Sequence, residues 1–260
     1  MLKGKSAIIT GSTSGLGRGI ATALASEGCK VVLNGFGTAA EIEELQSELR
    51  YKFGAEVFHH AADMTRPSEI ADLMTQACNR FGGVDILVNN AGAQFVAPIE
   101  EFPPEKWDEL IALNLSAAFH TTRAALTPMR RKGWGRIIYI ASAHGLVASA
   151  FKSAYVAAKH GLVGLTKVTA LETAREEITC NGICPGYIRT AVVEGQIQQH
   201  SRVLGIPVDR VIDDVILAKQ PNRKFIQVEQ VAALTLFLCS DAAATITGAA
   251  IPIDGGWTAI

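Results

Sequence analysis

No apolar run in this 260-residue chain reaches the roughly 20 residues that a membrane-spanning helix requires, so no membrane partner is expected. No charged-then-apolar leader opens it, and a cytoplasmic protein is the expectation. Basic charge is not in excess. Against 25 acids stand 24 lysines and arginines, a formal charge of −1, so the basic face that a nucleic-acid partner needs is missing. Cysteine is sparse: Cys29, Cys78, Cys180, Cys184 and Cys239 are scattered, odd in number, and mostly set among apolar or helix-pattern neighbours. That usage suits reduced, buried thiols and excludes a disulfide scaffold. Linkers, repeats and low-complexity stretches are lacking too. What the chain has in quantity is glycine, 24 residues, within a hydrophobic content of 48%. Such a chain turns often and buries a sizeable core, which excludes disorder.

The apolar pattern alternates between two periods. Ser6-Ala7-Ile8-Ile9-Thr10 is a short apolar run ending at glycine, suited to a strand buried on both faces. Leu16 to Glu27 follows at helical spacing, then strand Val31-Val32-Leu33, helix Glu41 to Phe53, strand Val57-Phe58 and helix Pro67 to Phe81. Further strands are expected at Ile86 to Val88, Arg136 to Ala141 and Asn181 to Cys184. Strand and helix alternating about six times argue for one α/β domain over residues 1–260, a parallel sheet covered on both faces. Residues 186–225 break the rhythm with two short helical patterns, near Val192 to Arg202 and Asp209 to Lys219. An insertion of that length after a strand's carboxyl end reads as a lid over a substrate.

Thr10-Gly11-Ser12-Thr13-Ser14-Gly15-Leu16-Gly17 joins the first strand to the first helix. Glycines at 11, 15 and 17 permit a tight turn and close approach to a diphosphate, which the helix amino terminus then attracts. The spacing G-x-x-x-G-x-G is wider than the commoner dinucleotide fingerprint. With it come Asn89-Asn90-Ala91-Gly92, Asn114, Ser142, Tyr155-x-x-x-Lys159 and Pro185-Gly186, in order. On these motifs the chain resembles the short-chain dehydrogenase/reductase family, from Lys5 to Gly256.

The resemblance implies a doubly wound Rossmann sheet of about seven strands. It also implies a dinucleotide site made of Gly11, Thr13, Ser14, Gly15, Leu16, Gly17, Phe36, Asp63, Met64, Asn90, Ala91, Gly92, Tyr155, Lys159, Pro185, Gly186, Ile188 and Thr190. A 2′-hydroxyl usually meets an acid after the second strand, and a 2′-phosphate a cation. Here Asn34-Gly35-Phe36 offers neither, the Phe36 ring leaves a phosphate little room, and Arg18 is expected to be solvated; NAD is favoured. The family places an acid such as Asp63 on the adenine amino group, and helix capping is the competing role.

Tyr155 and Lys159 lie four apart in a helical stretch and project from one face. A free tyrosine is phenolate in about one molecule per thousand at pH 7, and a neighbouring ammonium favours the charged form. Tyr155 is therefore expected to act as a general base on a substrate hydroxyl. Ser142, after the strand Ile137 to Ile140, can donate to the same oxygen. The resemblance assigns those roles to the three residues, and gives Asn114 a water-mediated proton relay through Lys159.

Around this set stand Gln94, His144 and Lys152, an amide, an imidazole and a cation suited to a carboxylate. Donors so placed reject neutral alcohols, which would leave them unpaired. The runs Ser142 to Ser149, Lys152 to Tyr155, Phe102-Pro103, Asn114 to Ala117, Lys219-Gln220-Pro221 and Asp254 to Ala259 resemble the bacterial branch of the family that oxidises (R)-3-hydroxybutyrate. That branch implies Gln94, His144, Lys152 and Gln196 on the carboxylate, the last from the lid, with Ser142 and Tyr155 on the hydroxyl. Trp257 is expected near the pocket. Tyr187 stands where the branch commonly has tryptophan, and a smaller ring there could widen the site for longer 3-hydroxy acids. The expected partner is thus a small 3-hydroxy acid, with NAD as cofactor and, by resemblance, a homotetramer as the assembly.

Other residues have plainer readings. His59-His60 lacks a metal-ligand partner and reads as a solvated strand end, so no metal is expected. Cys180 and Cys184 share one strand face. Trp107 and Trp134 read as packing residues, Met64, Met74 and Met129 as core filling, and Arg123, Arg130, Arg131 and Lys132 as a solvated helix end. Competing functions are a family member acting on sugars or polyols, an NADP-linked 3-oxoacyl reductase, and a dinucleotide sensor without catalysis. Phe36 opposes the reductase, Lys152 with His144 the neutral substrates, and the Ser142, Tyr155 and Lys159 set the sensor.

Overall fold

The structure, a computed structural model, describes residues 2–259, apart from the side chains at 191, 192, 196, 199, 200, 203 and 204. Seven strands form one parallel sheet: β1 (Ser6–Ile9), β2 (Lys30–Asn34), β3 (Val57–His60), β4 (Ile86–Asn89), β5 (Gly135–Ile140), β6 (Ile178–Pro185) and β7 (Ala250–Ile253). Their order is β3-β2-β1-β4-β5-β6-β7. The chain builds outward one way from β1 and then, from β4, the other way. That reversal opens a crevice beyond the carboxyl ends of β1 and β4, where doubly wound sheets bind ligands.

Alternation within each strand feeds two cores. Ala7, Ile9, Val31 and Leu33 face one layer, in which α1 (Gly15–Ser26) and α2 (Ala39–Phe53) contribute Ile20, Leu24, Leu45 and Leu49. Ile8, Val32 and Leu87 face the other, against α3 (Pro67–Phe81), α5 (Ala117–Lys132) and α6 (Ser153–Glu172). Both faces being dry, the strands read as unbroken apolar runs rather than alternating ones. Helix α4 (Pro104–Ile111) runs into α5 through a π-helical turn at Ala112–Ser116, and α9 (Val228–Cys239) covers the first layer beside α1. None of the described helices is long and apolar enough to cross a membrane.

Between β6 and α9 the chain makes its long excursion, with α7 (Ala191–Leu204) and α8 (Val208–Val211) followed by π and 3-10 turns to Lys219. It has a small core of its own, Ile197, Val211, Ile216 and Leu217, with Tyr187, Val193 and Phe225 packed against it. One reading needs correction. His59 and His60 do end β3, but they are half-buried and partnered, His59 Nε2 to the Gly35 carbonyl at 2.8 Å and His60 Nε2 to Asp72 at 2.9 Å. Arg123, Arg130, Arg131 and Lys132 on α5 are all exposed, as a solvated helix end requires, and two of them are paired, Arg130 with Glu176 at 3.0 Å and Lys132 with Asp85 at 2.9 Å. A buried carboxylate such as Asp85 requires that partner.

Candidate active site

The loop after β1 is held by asparagines. Buried Asn34 accepts from the Gly11 amide at 3.2 Å and donates to the His60 and Ala62 carbonyls, while Asn90 Nδ2 donates to the Thr10 and Gly11 carbonyls. Thr10 Oγ1 accepts from the Asn90 and Ala91 amides, tying β1 to β4 across the crevice. Gly11 (φ 63°) and Gly15 (φ 53°) adopt left-handed backbone that a side chain would strain. A Cβ at Gly17 would collide with the Gly11 carbonyl and Asn90 Nδ2. The Ser14 side chain makes no capping bond, and the first turn of α1 carries no acid. Free amides and an uncompensated helix dipole therefore face the crevice, which fits the diphosphate of a dinucleotide.

Thr13, Ser14, Gly15 and Phe36 border a cleft of about 450 Å³ with Arg18, Glu41 and Glu44. Arg18 is not simply solvated: its guanidinium lies 2.7 Å from Glu48 on α2. Asp63 Oδ1 accepts from the Thr65 amide and hydroxyl at 2.8 and 2.7 Å, closing the turn into α3 and holding its carboxyl below the usual range. Met64 is buried in the second core.

A second cleft, about 520 Å³, collects most of the remaining predicted residues. Leu16, Asn90, Gly92, Pro185, Gly186, Ile188 and Thr190 line one end, and Gln94, Ser142, His144, Lys152, Tyr155, Lys159, Tyr187 and Trp257 the other. Gln196 lies on α7, and its side chain is outside the described residues. Asn114 sits in the π-helical turn, where Nδ2 donates to the Leu110 and Ala93 carbonyls and Oδ1 accepts from the Ala93 amide. Such turns interrupt the helical ladder and recur at functional sites. Ala91 is half-buried against the second core rather than in the cleft.

Lys159, 4% exposed, donates to the Ile140 carbonyl at 2.8 Å, and its ammonium is 5.5 Å from the Tyr155 ring centroid. Burial pulls Lys159 down to about 8. Burial also raises the Tyr155 phenol, a shift that its hydrogen bond with Ser142 only partly offsets. Desolvation is the largest influence on the Tyr155 phenol, ahead of its bond with Ser142 and the nearby Tyr187. Ser142 Oγ in turn accepts from the His144 amide at 3.1 Å.

His144 is 5% exposed, and its Nε2 has no hydrogen-bond partner among the described residues. Burial, then the charges of Lys152 and Lys219, lower its pKa to about 4, so the imidazole is neutral. Lys152 is half-buried and lowered by burial and by Lys219. A buried nitrogen without a partner beside a partly desolvated cation is costly unless a ligand completes it. Tyr187 and Trp257, both lining the cleft, stack at 5.6 Å with an interplanar angle of 9°. Sequence reasoning missed Ile140, Ala141 and Val193 in the lining, and the two residues that set the backbone. Asn34 is one, its signal a lone amide ending the run Val31-Val32-Leu33. Fully buried Gln220 is the other: Oε1 accepts from the Tyr187 amide at 2.5 Å and would meet any Cβ at Gly186. The run Lys219-Gln220-Pro221 marked its place without a role.

Residues 5–201 match the short chain dehydrogenase family. The chain is 60% identical over 255 residues to a D-beta-hydroxybutyrate dehydrogenase of Rhizobium meliloti (strain 1021), covering 98% of this chain and 99% of that protein. It is 54% identical over 263 residues, all of both chains, to a protein of the same description from Cupriavidus necator (strain ATCC 17699). The crystal structure of L-sorbose reductase from Gluconobacter frateurii, complexed with NADPH and L-sorbose, superposes with a TM-score of 0.93 at 32% identity, over 99% of this chain and 98% of that one.

Proposed function

The chain belongs to the short-chain dehydrogenase family, and from that premise we propose that it oxidises (R)-3-hydroxybutyrate to acetoacetate, reversibly, with NAD. The observation that carries the substrate is the pairing of His144 Nε2, buried and unpartnered among the described residues, with the Lys152 ammonium in the cleft that holds Tyr155. A carboxylate supplies the missing acceptor and counter-charge together. Gln94, in the lining of the same cleft, completes the donor set.

In oxidation, Tyr155 removes the proton from the C3 hydroxyl while Ser142 donates to the same oxygen as it becomes a carbonyl. The nicotinamide, when bound, supplies the acceptor for the hydride that leaves C3. Lys159 orients its ammonium behind the phenol, with Asn114 fixed in the adjoining turn. Trp257 and Tyr187 exclude water from the carbon chain, and the excursion acts as the lid, its α7 side bringing Gln196.

NAD rather than NADP is supported by the cleft beside Phe36. Glu41 and Glu44 border it, and Arg18 is already engaged by Glu48, a poor setting for a 2′-phosphate. Asp63 remains the proposed adenine contact. The assembly proposed is a homotetramer in the cytoplasm: Phe119 and Val168 expose an apolar face on α5 and α6, beside Gly161 and Gly164. The five free cysteines suit a reducing compartment. The test is NADH formation from NAD and (R)-3-hydroxybutyrate. Turnover with NAD well above that with NADP supports the reading, and no turnover contradicts it.

A further inference from the structure

Resting on that reading, we propose that Lys219 is a second cation for the substrate carboxylate, capturing it at the rim of the cleft and retaining it together with Lys152. Lys219 ends the excursion, in the 3-10 turn Leu217–Lys219. Its backbone is anchored by the next residue, because Gln220 is fully buried and bonds to both Tyr187 and Lys224. The side chain is free to reach. Its Nζ lies 5.5 Å from the Trp257 ring centroid and donates to Ser149 Oγ at 3.4 Å, on the segment that leads to Lys152.

Trp257 connects the rim to the interior. Its ring is 4.9 Å from the His144 imidazole and stacks on Tyr187, and the Lys152 ammonium lies 6.0 Å from the Tyr187 centroid. Two ammonium groups therefore flank one aromatic stack. Neither lies within 4.0 Å of a carboxylate among the described residues. The two charges also act on one another and on His144, lowering the basicity of Lys152 and of the imidazole. Like charges held near each other with no counter-ion are relieved by an anion that enters between them. Lys152 lines the cleft and Lys219 is exposed, so the outer charge attracts the acid and the inner one fixes it.

The competing account is that Lys219 merely ties the excursion to Ser149. Lys219→Gln, Lys219→Arg and Ser149→Ala separate the two. The proposal expects Lys219→Gln to raise KM for (R)-3-hydroxybutyrate about 5- to 10-fold with kcat within about twofold, and to flatten the fall of kcat/KM with ionic strength. Lys219→Arg should restore most of the loss, Ser149→Ala should leave KM near wild type, and the neutral methyl ester should respond to none of them. Acetate, followed by intrinsic tryptophan fluorescence, gives a readout free of turnover and should bind Lys219→Gln several-fold more weakly than wild type. Acetate binding that depends on Lys219 in a protein that does not oxidise 3-hydroxybutyrate would overturn the function and leave this site standing. Equal acetate binding by the two proteins, no acetate binding by wild type, or an equal KM rise for the ester overturns it.

Discussion

Lys159 is buried with its ammonium held to about 8, a cost that the fold carries beside Tyr155. Between the folded value and the ordinary 10.5 the unfolded chain binds more protons, so this lysine's contribution to stability rises with pH from about 8 to 10.5. Near pH 7 its burial costs roughly 3 kcal/mol against an unperturbed lysine. Lys159→Met is therefore expected to lose turnover yet unfold at a higher denaturant concentration than wild type at pH 7, an advantage that shrinks towards pH 10. Denaturant titrations at the two pH values check it. Tyr155, raised by burial, should make kcat/KM for oxidation climb with pH through neutrality, and Tyr155→Phe should reduce kcat by about 10²- to 10⁴-fold. Lys152→Ala should lower kcat/KM for the acid by about 10²-fold while NADH still binds, a result read from kinetics and NADH fluorescence.

Strand and helix positions were legible wherever burial is uniform. Ala7-Ile8-Ile9 and Val31-Val32-Leu33 are dry on both faces, so their composition alone marks them, and the helix read from Pro67 to Phe81 is α3. Strand β7 escaped individual reading because Ala250 to Ile253 is half-exposed at the sheet edge and contains Pro252. The π-helical turn at Asn114 was also illegible, since one extra residue in a helix leaves the apolar period almost unchanged. The proposed catalytic set rests mostly on motif spacing, whereas Asn34 and Gln220 act on the backbone, where no motif marks a role. At the first βα junction, Gly17→Ala forces a Cβ against Gly11 and Asn90, and should weaken NADH binding at least tenfold in a fluorescence titration, without loss of the fold by circular dichroism.

Across the molecule, chemistry gathers at one edge of the sheet. Strands β1 and β4 border the proposed dinucleotide loop and β5 leads to Ser142, each at a carboxyl end, while α6 brings Tyr155 and Lys159 from its amino-terminal turns. The same α6 presents Gly161, Gly164 and Val168 on its outer side, so the proposed assembly and the proposed catalytic residues would share a helix. If that face is an interface between copies, Val168→Glu should lower the solution mass towards the 27.6 kDa of one chain, as light scattering would show. Tyr187 sets the far wall of the substrate end, and Tyr187→Trp should lower kcat/KM for 3-hydroxyvalerate more than for 3-hydroxybutyrate. The most direct test of the acid-reading cleft compares kcat/KM for (R)-3-hydroxybutyrate with that for its methyl ester, which has the same carbinol and no charge. A preference of about 10²-fold or more for the acid, lost in Lys152→Ala, is the predicted result. Equal rates for acid and ester would contradict it.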